Sequence, residues 1–79
     1  MNYYKQYSHT TKIPYSENIE DEIAKWVDVK IDEYIHPEQY GLLGIYHESE
    51  PFVELQTITT ILSLDGKWVH IFAMFGVPK

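Results

Sequence analysis

Two β-rich runs, residues 52–64 and 67–77, meet at Asp65-Gly66. An Asp-Gly pair between such runs is the strongest short-range hairpin signal, because a type I′ turn needs positive φ at both central residues. No other feature constrains the fold as tightly, since a two-residue loop also fixes a register. It sets Leu64 opposite Lys67, Leu62 opposite Val69, Thr60 opposite Ile71, Ile58 opposite Ala73 and Gln56 opposite Phe75. Side chains alternate along a strand, so these pairs share one face. The other face carries Val53, Leu55, Thr57, Thr59, Ile61 and Ser63 against Trp68, His70, Phe72 and Met74. The first face reads as core. The second is mixed, yet Trp68, Phe72 and Met74 stand in a row on it, which calls for a cover from this chain, another copy or a partner. A slip of one residue would exchange the two faces.

The chain has 79 residues, enough for one domain with a small core. It contains no cysteine, so neither a disulfide nor a thiolate site supports it. A small core without staples makes a homodimer as compatible with the sequence as a monomer. The first residues lack the apolar run of a signal peptide, and no stretch is long and apolar enough to span a bilayer. These features, with the missing cysteine, lead to the expectation of a cytoplasmic protein without a membrane partner.

The net charge of −6 is unevenly spread. Residues 1–15 carry +2, residues 16–54 carry −9 and residues 55–79 carry +1. Arginine is absent. Phosphate backbones are bound through Lys and Arg, so direct nucleic-acid binding is not expected. An acidic surface can still attract a basic partner.

Residues 1–15 are tyrosine- and threonine-rich and read as an edge strand or an extended arm over the sheet. Pro14 keeps Ile13 extended. Ser16 then reads as the N-cap of a helix over 16–35, with Glu17, Glu20, Asp21 and Glu22 at the positive end of its dipole. Ile19, Ile23, Trp26, Val27, Ile31 and Tyr34 recur at helical spacing, and Glu17, Asp21, Asp28 and Asp32 lie opposite. Residues 27–32 also alternate as a strand would. A strand there needs a turn after Lys25, and no Gly, Pro or Asn supplies one, so the helix is preferred. Pro37 stops it near Ile35. Residues 42–47 read as a short strand and 48–51 as a loop before the hairpin. The expected fold class is α+β: one small two-layer domain over 1–79, with a β-meander of about three antiparallel strands over 42–77 packed by one helix.

Candidate chemistry is sparse. His47, Glu54 and His70 would meet only if distant strands were neighbours, and the close ligand pairs of zinc sites are missing, so scattered histidines are the better reading and no metal is expected. The carboxylates sit on a solvated helix face and a loop, without the cleft that acid–base catalysis needs. No Gly-x-Ser-x-Gly elbow occurs, and Gly41-Leu42-Leu43-Gly44 lacks the Lys-Ser/Thr of a phosphate loop. No cofactor and no catalytic residue are assigned.

What remains is an interaction protein. Trp68, Phe72 and Met74, with His70 among them, form the candidate partner surface, because aromatics and methionine are enriched in interface cores. Glu17, Glu20, Asp21, Asp28 and Asp32 form a candidate acidic surface, for which simple solvation is the ordinary reading. The leading expectation is a small non-enzymatic regulator or inhibitor that docks on a larger protein, of the kind phages and mobile elements carry. The alternatives are an acidic nucleic-acid mimic that blocks a DNA- or RNA-binding protein, and a homo-oligomeric structural protein.

Overall fold

Along β1, Tyr3–Pro14, half-buried and exposed positions alternate without a break. That two-residue period belongs to a strand with one covered face. The tyrosine-rich start of the chain is thus a full strand and not a loose arm. Pro14, which has no N–H for a ladder, closes it. The computed structural model that shows this describes residues 3–42 and 48–78.

Tyr15 is still tied to the sheet, its amide donating to the Lys67 carbonyl at 2.8 Å. The chain therefore cannot enter a helix at Ser16, as the capping pattern suggests. Ser16 instead makes a turn: its carbonyl accepts from Ile19 N–H at 3.2 Å and its hydroxyl from Asn18 N–H at 3.3 Å. The helix α1 runs Ile19–Ile35, with Asn18 at the N-cap and no side-chain cap bond. Glu20, Asp21 and Glu22 occupy its first turn, where the dipole favours them. Its end falls at Ile35 as expected, with His36 N–H donating to the Asp32 carbonyl at 2.7 Å and Pro37 beginning a short 3₁₀ turn, Pro37–Tyr40. Helical period wins over alternation at 27–32 because Trp26, Val27, Ile31 and Tyr34 pack into the core, with Ile19 and Ile23 half-buried, while Asp28 and Val29 face solvent.

The hairpin joins β2, Glu54–Leu62, to β3, Trp68–Pro78. From Leu62–Val69 through Ile58–Ala73 the pairing is the one expected, but it shifts at Gln56, where a bulge puts Leu55 rather than Gln56 opposite Phe75. The shift turns an apolar side chain onto the core face at the cost of one unpaired residue. The turn also differs. Gly66 has φ +73° and Asp65 has no positive φ, so this is not a type I′ turn. Gly66 N–H donates to the Ser63 carbonyl at 2.9 Å, and Ser63 N–H to the Trp68 carbonyl at 2.8 Å, which closes a four-residue loop, 64–67. The Asp65 carboxylate accepts from the Ser63 hydroxyl and the Lys67 amide, and these bonds hold it below the usual carboxylate range.

The described sheet has three antiparallel strands in the order β1-β3-β2, and with α1 it makes a small α+β domain. In a meander, neighbours follow chain order; here the last strand lies in the middle. The short strand expected at 42–47 falls on residues 43–47, outside the described residues. Strands β1 and β2 both run antiparallel to β3 and hence parallel to each other, so the helix between them is a crossover over one face. It covers the face bearing Val69, Ile71, Ala73, Phe75 and Val77, all buried. Phe75 and Ile71 are fully enclosed. Burying side chains of that size is worth roughly 1.5–3 kcal/mol each. Trp26 meets Phe75 with ring centroids 6.2 Å apart, and Val27, Ile31, Leu55 and Ile58 pack around the same cluster.

Gly66→Val should destabilise the domain by about 1–3 kcal/mol, because a β-branched residue resists positive φ. The site has open space around the missing Cβ, so only backbone strain acts. Chemical denaturation reads the loss, and a midpoint equal to the parent's would contradict the left-handed assignment.

Candidate functional site

With the helix on one face, Trp68, His70, Phe72 and Met74 share the other. This places all four expected partner-surface residues on the uncovered side. Phe72 is 46% exposed, and Trp68, His70 and Met74 are half-buried. The Lys12 ammonium sits 4.5 Å from the centre of the Trp68 ring, a cation–π contact that covers part of the indole. Ile61 on β2, 54% exposed, pairs with His70 and borders Phe72 diagonally. Ser8 and Thr10 of β1 and Thr57 and Thr59 of β2 flank Phe72 and Met74 and line a shallow depression with them. A second depression toward the turn is lined by Ile61, Ser63, Leu64, Asp65, Trp68 and His70. An apolar row with a hydroxyl-bearing border has the anatomy of a protein interface.

The row ends where β3 reaches Gly76. Glu54 and Gln6 both lie opposite Gly76 on this face. The Tyr3 hydroxyl crosses the central strand to donate to Glu54 at 2.9 Å, and Gln6 Nε2 donates to Gln56 Oε1 at 2.8 Å. The two bonds strap the outer strands together over a residue without a side chain. A Cβ at Gly76 would overlap the Tyr3 ring. Hydrogen bonding to the Glu54 carboxylate keeps the Tyr3 hydroxyl above the ordinary tyrosine range.

A second cluster, absent from the sequence reading, lies where β1 meets the end of α1. Glu50 is 5% exposed and accepts from Lys5 Nζ and from the Tyr7 hydroxyl, each at 3.0 Å. Its amide donates to the Tyr34 carbonyl at 2.9 Å, and the Ser49 hydroxyl donates to the Ile35 carbonyl at 2.9 Å. The loop thereby satisfies carbonyls that a helix end leaves open. Tyr7 and Tyr34 stack with centroids 4.4 Å apart, and the Tyr34 hydroxyl meets His9 Nε2. Burial pushes the Tyr34 hydroxyl up to about 12. Among the described residues no buried side-chain polar atom lacks a partner. A network so fully satisfied pins the loop and helix end to β1. It was hidden in the sequence because its members lie 14 to 45 residues apart.

The candidate acidic surface is divided. Glu17, Glu20, Asp21 and Asp28 are exposed on or just before α1. Asp32, expected on the same solvent face, is half-buried and accepts from the Tyr40 hydroxyl at 2.6 Å. Lys30 pairs with Glu33 at 3.4 Å, so positive charge interrupts the run. Glu54 and His70 stand at opposite ends of the open face, and His47 lies outside the described residues. Among the described residues no group of three metal-ligating side chains converges, and no helix is long and apolar enough to cross a membrane. No family model, curated protein or solved structure matches the chain.

Glu50→Ala should cost about 1–3 kcal/mol, the penalty for leaving the Tyr7 hydroxyl and the loop without their acceptor. Glu50→Gln, which keeps an acceptor, should lose less; equal losses in thermal melts would show that the hydrogen bonds carry nothing. The Tyr34 shift predicts alkaline sensitivity. Its unfolded form ionises near the ordinary tyrosine value of 10.0 and its folded form only at about 12, so the stabilisation is complete below pH 10 and is lost as pH rises toward 12. Tyr34→Phe should flatten the fall of stability across that window, measured by denaturation at stepped pH.

Proposed function

We propose that this chain is a small non-enzymatic interaction protein that docks on a larger protein through the uncovered sheet face, as a regulator or inhibitor of it. One observation carries the reading: among the described residues the crossover helix covers one face of the sheet and nothing covers the other, which holds Phe72 and Ile61 exposed beside Trp68 and Met74. Exposed apolar residues scattered singly mean little, whereas a contiguous row bordered by hydroxyls marks a contact surface. Phe72 is its anchor, since it is the exposed aromatic of the row, between Trp68 and Met74. Trp68 is held ready beneath Lys12, which can follow the ring or turn to an acidic group of the partner.

The acidic mimic is the second reading, supported by Glu17, Glu20, Asp21 and Asp28 exposed along one segment. The two readings differ in salt dependence. Carboxylates that imitate phosphates bind through screened charge, and apolar burial is not screened.

A partner isolated on the tagged protein from the native host supplies the assay, with affinity measured at low and moderate salt. Phe72→Asp should weaken binding at least tenfold and leave the circular dichroism spectrum unchanged, because the side chain is 46% exposed. Asp21→Lys with Asp28→Lys should change affinity less than threefold. Affinity that collapses with salt and with the helix variants, but survives Phe72→Asp, would transfer the function to the acidic face.

A further inference from the structure

Among the described residues nothing covers the outer edge of β2, and we propose that a second copy of this chain pairs with it, joining the two described sheets into one. Both β1 and β2 are edges of the described sheet. An edge presents unpaired N–H and C=O groups that invite another strand, and proteins blunt it with charge, proline or bulges. Strand β1 carries all three: Lys5 and Lys12, Pro14, and a register shift at Tyr3/Lys5. On β2 such devices occur only at the start, as Glu54 and the bulge at Gln56. From Thr57 to Leu62 the strand is Thr-Ile-Thr-Thr-Ile-Leu, without charge or proline. That composition is the signature of a pairing-prone segment.

The ladder determines which groups point outward. Ser63 bonds to Trp68, so Ile61–His70, Thr59–Phe72 and Thr57–Met74 are the hydrogen-bonded pairs that follow by alternation. Ile58, Thr60 and Leu62 therefore turn their amides and carbonyls away from β3. They must meet one another on the partner. The bulge at Gln56 closes one end and the loop after Ser63 closes the other. The antiparallel register that uses all of 57–63 sets Thr60 opposite Thr60 of the second copy, with Ile58 opposite Leu62.

This register suits the side chains. Leu62 lies on the helix face, yet the helix does not reach it and it is 54% exposed. In the paired form it rests beside Ile58, which belongs to the margin of the core, so each core continues across the two-fold axis. No like charges are set opposite one another, because residues 55–64 carry none. A foreign strand finds the same backbone groups, but nothing on the edge specifies its register, whereas the chain's own sequence does. Both helices fall on one side and both open faces on the other, which doubles the surface of the proposed docking site without altering it.

Sedimentation velocity over a concentration series tests the assembly, together with amide exchange at Ile58, Thr60 and Leu62. The parent should be a dimer with those three amides protected. Thr60→Lys sets two ammonium groups opposite each other and should yield a folded monomer in which they exchange freely. Thr60→Pro should do the same, because the amide it removes points outward. Phe72→Asp should leave the dimer intact, which separates this inference from the docking reading. A parent monomeric at all concentrations overturns the proposal. So does a dimer that survives both Thr60 variants, or one in which the three amides stay unprotected and another surface or strand must do the joining.

Discussion

The central position of β3 governs this fold. Among the described residues, every ladder pairing of β1 and of β2 is made to it. Its buried side chains, Val69, Ile71, Ala73, Phe75 and Val77, supply most of the buried core. It lies between the two strands that the helix connects. The consequence is a parallel relation between β1 and β2, which pair with β3 and not with each other. They are joined by the crossover helix on one side and by the Tyr3–Glu54 and Gln6–Gln56 bonds over Gly76 on the other. The same topology explains the exposed aromatic row, since one helix can cover only one face.

Local chemistry made part of this legible. The hairpin could be read because Asp-Gly marks its turn and alternation on both sides agrees with one register. The helix end could be read because Pro37 stops it, and the helix itself because six apolar residues repeat with its period. The turn type could not. Asp-Gly serves a type I′ turn, but it serves equally a longer loop in which only Gly66 takes positive φ and Asp65 uses its carboxylate instead. The bulge at Gln56 was equally silent, because its cause lies across the sheet: Leu55 gains the Phe75 side of the core when the register slips.

Long-range placement was the part the sequence withheld. Tyrosine and threonine at 3–11 suit a strand anywhere, and nothing in them says that β3 is their neighbour. The helix start was misread for the same reason, since the bond from Tyr15 to Lys67 holds the chain in the sheet beyond the residue that local capping rules would choose. Glu50 was the deepest omission. In a loop of Glu-Ser-Glu-Pro it looks solvated, and only the approach of Lys5, Tyr7 and the Tyr34 carbonyl encloses it. The shared face of Trp68, Phe72 and Met74 was legible, because it depends on period alone. Ile61 beside it and Leu62 on the helix face were visible as residues but not as exposed ones, and for Leu62 exposure depends on how far the helix reaches.

Charge and apolar surface are consequently separated by the sheet. The acids of 16–54 belong mainly to the helix layer, while the open face carries hydroxyls, aromatics and Lys12. A partner approaching the open face meets little of the negative field at short range, because the sheet lies between and exposed charges fade over about 8–10 Å at moderate salt. The acidic helix layer points to the side away from that face, where net charge favours solvation. This division also limits the ways two copies can meet. Helix against helix opposes two acidic layers, whereas edge pairing through the uncharged half of β2 sets the helices side by side and leaves the open faces free. The bare face and the bare edge are thus two consequences of one arrangement, a central strand with a single crossover, and each can be occupied without displacing the other.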